Sequence, residues 1–74
     1  MRVTVKLFAM FRNGRFKVAE FDFPQGTTCR QIVAEVGLTE AELGVVMVNG
    51  RHAQVDRVLA EGDTLSLFPL VGGG

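Results

Sequence analysis

Only one stretch of this chain carries the period of a helix, and that limits the fold more than any other feature. In "TTCRQIVAEVG", Cys29, Ile32, Val33 and Val36 fall at i, i+3, i+4 and i+7 and make a single apolar stripe. Thr28 followed by Gln31 has the form of a capping box, and Gly37 stands where a left-handed C-terminal cap belongs. One helix cannot cover both faces of a sheet. The economical arrangement is an α+β domain in which one mixed sheet of four to five strands carries the helix across its concave apolar side.

The strands are read from alternation. "RVTVKLF" puts Val3, Val5 and Leu7 on one face and Arg2, Thr4 and Lys6 on the other. Asn13-Gly14 predicts a hairpin turn. "FKVAEFDF" follows with a conflict of phase: Phe16 and Val18 have one parity, Phe21 and Phe23 the other. A bulge near Ala19 and Glu20 would put both pairs on one face. Thr39 and Glu42 repeat the Thr-x-x-Glu pattern and predict a short helical turn. "VVMVNGRHAQV" predicts a second hairpin at Asn49-Gly50, and a turn at Glu61-Gly62-Asp63 leads into a strand with Leu65 and Leu67 on one side. Pro69 lacks an amide hydrogen, so regular pairing is expected to stop near there. The element order is β-β-α-β-(β)-β.

With 74 residues, 47% of them hydrophobic, the chain makes one small domain near the lower limit for an unstapled core. Eight basic residues balance eight acidic ones, which argues against electrostatic binding of nucleic acid. No apolar run is long enough to span a bilayer, and the start lacks the features of a signal peptide. The lone Cys29 fits a reducing cytosol, so a cytoplasmic domain is expected.

The body offers little chemistry. Cys29 is accounted for by the helical stripe, with no helper His or acid beside it. His52, the only histidine, follows a hairpin turn and reads as a solvated strand residue. No ligand cluster has metal spacing. The glycines at 14, 26, 37, 44, 50 and 62 are scattered one per turn and form no phosphate-cradling loop. The domain holds no nucleotide site of its own and looks like a carrier.

What remains is the end, "FPLVGGG". A terminal α-carboxylate is ionised at neutral pH and is a poor acyl donor until ATP converts it to an acyl-adenylate. Residues without Cβ allow backbone to thread a narrow, water-poor slot in another enzyme. Phe68, Pro69, Leu70 and Val71 read as a docking segment, and Gly72, Gly73 and Gly74 as the inserted probe. A frayed terminus without a role is the competing reading, but the segment lacks polar linker residues.

The stretches "RVTVKLFAMFR", "GTTCRQIVAEVGL" and "MVNGRHAQVDRVLAEGDTLSLFPLVGGG" together resemble the MoaD/ThiS family of ubiquitin-like sulfur carriers. The resemblance implies a β-grasp domain over residues 1–71 followed by a flexible glycine tail at 72–74. It also implies a mechanism in which a partner activating enzyme, using ATP and magnesium, adenylates the Gly74 carboxylate. A sulfur donor then turns it into a thiocarboxylate. Gly73 and Gly74 match the family motif, whereas Gly72 departs from it mildly. "LFAMFR" is more similar to the small subunit of molybdopterin synthase than to thiamine carriers, which implies sulfur transfer to a molybdenum or tungsten cofactor precursor and a large-subunit partner. Three alternatives stay open: a thiamine-type carrier, a ubiquitin-like protein modifier, and a ubiquitin-like binding module whose tail is incidental.

Overall fold

The computed structural model describes residues 1–70; residues 71–74 lie outside the described part of the chain. Strands β1 (Arg2–Leu7) and β2 (Val18–Asp22) precede the helix α1 (Cys29–Glu35). Strands β3 (Leu43–Val48), β4 (Arg51–His52) and β5 (Thr64–Pro69) follow it. The five strands form one sheet in the order β2-β1-β5-β3-β4. β1 and β5 run parallel at the centre, and the other pairings are antiparallel. One helix on a five-stranded mixed sheet is the β-grasp arrangement.

The expected stripe is what α1 buries. Cys29, Ile32 and Val33 pack against Val3, Val5, Leu7, Val46, Val48, Leu65 and Leu67 from the inner face of the sheet. Both helix ends are closed by local chemistry. Gln31 N–H donates to Thr28 Oγ1 while the Gln31 side chain accepts from Thr28 N–H, which completes the capping box. The next amides, Cys29 N–H and Arg30 N–H, donate to carbonyls of Arg57 and Val55 on the crossing loop. At the other end Gly37 takes φ +86°, and Leu38 N–H and Gly37 N–H return to the carbonyls of Val33 and Ala34. These are the paired bonds of a Schellman cap.

Three expectations need correction. β2 carries no bulge: its register with β1 is unbroken from Val18 opposite Lys6 to Asp22 opposite Arg2. The parity conflict disappears because Phe16 precedes the strand and packs on Phe21 from the loop, ring centroids 5.3 Å apart, while Val18 faces outward. Asn13-Gly14 turns the chain, but with Asn13 at φ −65° it is not a two-residue hairpin loop. It closes a longer connection that begins with a 3-10 turn over Ala9–Arg12 and buries Phe11. Gly44 is not in a turn: it lies within β3, where the register with β5 shifts between Leu43 and Val45. The Asn49-Gly50 hairpin forms as expected, with both residues at positive φ between Val48 and Arg51.

Candidate functional site

Strand alternation sorts the end of β5. Leu65 and Leu67 are buried in the core that α1 covers, so Phe68 points to the opposite, outer face of the sheet. On β3 the inward residues are Val46 and Val48, which leaves Val45 and Met47 outward. Phe8 joins them from the end of β1. Ala9 adopts φ +52°, and this left-handed step lets Phe8 stay outside while Phe11 dives into the core. The Phe8 and Phe68 rings stack at 4.1 Å between centroids, 13° from parallel. Arg12 sits 5.4 Å from the Phe8 ring centroid, anchored by its Nε–H donating to the Leu7 carbonyl at 2.8 Å. Phe8, Ala9, Val45, Met47, Phe68 and Pro69 line one open apolar depression.

The chain leaves the sheet at the rim of this depression. Pro69 pairs with Leu43, and Leu70 N–H donates to the Glu42 carbonyl at 3.0 Å. Pairing therefore reaches one residue past the proline. The Leu70 side chain is 64% exposed. Of the expected docking residues, Phe68 belongs to the outer face, Pro69 is buried at the depression's lining, and Leu70 is presented to solvent. Val71, Gly72, Gly73 and Gly74 lie outside the described residues.

Phe8, Val45 and Met47 were not singled out from sequence. The signal was the unbroken apolar run "VVMV", which marks a strand apolar on both faces. Burial pushes the Cys29 thiol above its ordinary value, against an opposing pull from Arg57. Glu42 is held below the usual carboxylate value because its carboxylate accepts from Thr39 N–H and Oγ1–H, at 2.8 and 3.0 Å. His52 is exposed on the edge strand β4. Among the described residues no group of three His, Cys, Asp or Glu side chains could hold a metal ion, and no helix is long and apolar enough to cross a membrane.

Residues 5–74 of this chain match the ThiS family. The chain belongs to the ThiS family. Its fold is shared by a Pyrococcus furiosus protein assigned as molybdopterin converting factor subunit 1, with 30% identity, TM-score 0.78, and coverage of 96% of this chain and 99% of that one. SAMP1 of Haloferax volcanii, a small archaeal modifier protein, is 28% identical with TM-score 0.76 over the full length of both chains. A chain from the complex of subunits 1 and 2 of the Helicobacter pylori 26695 molybdopterin-converting factor matches over both full lengths with TM-score 0.67; at 22% identity it speaks to the fold alone. A search of curated proteins gives no match. This ThiS-family chain thus stands among MoaD-like sulfur carriers and SAMP-type ubiquitin-like modifiers.

Proposed function

We propose that the chain is a sulfur carrier whose Gly74 carboxylate is adenylated and converted to a thiocarboxylate for molybdopterin-type cofactor synthesis. The observation that carries this is the exit of β5. The strand delivers the chain to an exposed Leu70 at the rim of an apolar depression, four residues before Gly74. The family match running through Gly74 supports it. A partner activating enzyme supplies the nucleotide site, with its ATP and magnesium. A carboxylate oxygen attacks the α-phosphorus and pyrophosphate leaves. A donor at the oxidation level of sulfide then attacks the acyl carbon and AMP leaves, so no electrons change hands. The thiocarboxylate sulfur is the better nucleophile and carries the transfer to the acceptor.

The role of this chain's folded part is to present that end. Phe68, Pro69 and Leu70, together with Phe8, Val45 and Met47, form the surface on which the activating enzyme docks, and on which a large subunit replaces it afterwards. Apolar contacts there offset the cost of ordering the glycines, about 1–2 kcal/mol per residue. Similarity to the Pyrococcus protein and the "LFAMFR" stretch favour the molybdopterin acceptor over the thiamine one. The test is intact-protein mass after incubation with an activating enzyme, ATP and a sulfur donor. The expected gain equals exchange of one oxygen for sulfur, and it should vanish when Gly74 is deleted. An unchanged mass with every activating enzyme from the same genome would overturn the proposal. Similarity to SAMP1 favours a second reading, in which a target lysine amine attacks the acyl carbon of the same adenylate, AMP leaves and an isopeptide bond forms. Lysine-linked adducts in cell extract distinguish it.

A further inference from the structure

Gly44 is the one described glycine whose missing side chain makes room for backbone. A Cβ there would lie 2.5 Å from the Pro69 carbonyl oxygen, 2.9 Å from its carbon and 3.0 Å from Leu70 Cα. At these separations the strand end must move. Conformational freedom is not the reason, because Gly44, unlike Gly37 or Gly50, does not use a positive φ. What the position requires is the absence of a Cβ beneath the last residues of β5. Directly alongside, Leu70 N–H donates to the Glu42 carbonyl at 3.0 Å. Glu42 is itself fastened, since its carboxylate closes the 3-10 turn Glu40–Glu42 by accepting from Thr39 N–H and Oγ1–H. Arg30 ties the same turn to α1 through an ion pair with Glu40 at 2.9 Å.

We propose that Gly44 and the Glu42 carbonyl form a clamp on the root of the tail, making Gly44 a positioning residue for activation of Gly74. This rests on the reading of Gly74 as the acyl donor. Four residues follow Leu70, so the carboxyl carbon reaches at most about 13–14 Å beyond the clamp, at ~3.3–3.6 Å per residue. The partner is thereby specified in part: its reactive slot opens within that distance of Leu70, beside the apolar depression. A clamp of this kind fixes both the origin and the usable length of the probe. Misplacing a reacting group by about 1 Å can cost on the order of a hundredfold in rate.

Gly44→Ala tests this with two independent readouts. Amide exchange of Leu70 is expected to quicken at least about tenfold while Leu65 and Val46 keep their protection, since local opening is separable from global unfolding. In the activation assay kcat is expected to fall by roughly ten- to a hundredfold, a larger effect than on KM for the carrier, because Phe8, Val45, Met47 and Phe68 lie outside the displaced strand end. Unaltered Leu70 exchange, or unaltered kcat in a variant whose Leu70 amide is released, overturns the clamp. Should Gly44→Ala fail to fold, a glycine inserted between Leu70 and Val71 lengthens the probe without touching the sheet. It is expected to lower kcat while Leu70 stays protected, and full activity overturns the proposal. If the wild-type chain itself is never activated, the acyl-donor reading fails, whereas the exchange result on Leu70 still stands or falls by itself.

Discussion

Buried beneath the first turn of α1, the Cys29 thiol illustrates how burial alone can govern a side chain that invites chemical readings. Loss of hydration raises its pKa, so the folded protein keeps the proton that the unfolded chain releases above about 9.0. Stability from this group is complete below that value and is lost as pH rises further. Urea midpoints measured from neutral to alkaline pH should decline for the wild type and flatten for Cys29→Val. Thiol reagents should label the native protein only as fast as it opens. Glu42 has the opposite sign. Its pKa is lowered by the hydrogen bonds from Thr39, so its contribution is present above the ordinary carboxylate value near 4.5 and is lost on acidification. An NMR titration should show the Thr39 amide shifting as Glu42 protonates below that value. A midpoint at or above the ordinary value would contradict the assignment.

For the helix, local rules and tertiary packing agree, which is why its limits could be read from residue types. Thr28→Ala removes one acceptor from the first turn and should cost about 1 kcal/mol, within ~0.5–2. Gly37→Ala forces a Cβ into the left-handed cap and should cost a comparable ~1 kcal/mol. Chemical denaturation of the two variants checks both. Asn49-Gly50 was legible for a similar reason: the turn needs two positive φ values, and the Asn49 side chain reinforces it by donating to Asp63 and accepting from Thr64 N–H. Asn13-Gly14 misled because its neighbours outvote it. Phe8 and Phe11 must go to opposite sides of the sheet, and the chain spends a 3-10 turn separating them. The apparent bulge in β2 arose from counting Phe16 as part of the strand. The actual irregularity is in β3 at Gly44, where a glycine inside a strand was itself the available signal.

Across the whole molecule the two sheet faces divide the work. The inner face holds the fold together, and a domain this small has little stability in reserve. Leu67→Ala, at a fully buried position facing α1, should cost about 2–5 kcal/mol and leave much of the protein unfolded at growth temperature. The outer face can be altered at little structural cost. Met47→Asp should change stability by only about 0.5–1 kcal/mol yet weaken docking of the activating enzyme at least about tenfold. Calorimetry and binding titration on the same sample separate the two effects. Of the candidate site, Phe68, Pro69 and Leu70 could be picked out from sequence because they precede the glycines. For Val45 and Met47 the run "VVMV" marks a strand apolar on both faces, but only the pairing order β1-β5-β3 gathers them with Phe8. The tail chemistry is tested most directly by trapping. With activating enzyme, ATP and hydroxylamine present, the peptide ending in Gly74 should be recovered as a hydroxamate, one per chain, and only when ATP is supplied. An unmodified terminal peptide, or a hydroxamate on a side-chain carboxyl instead, would contradict the account.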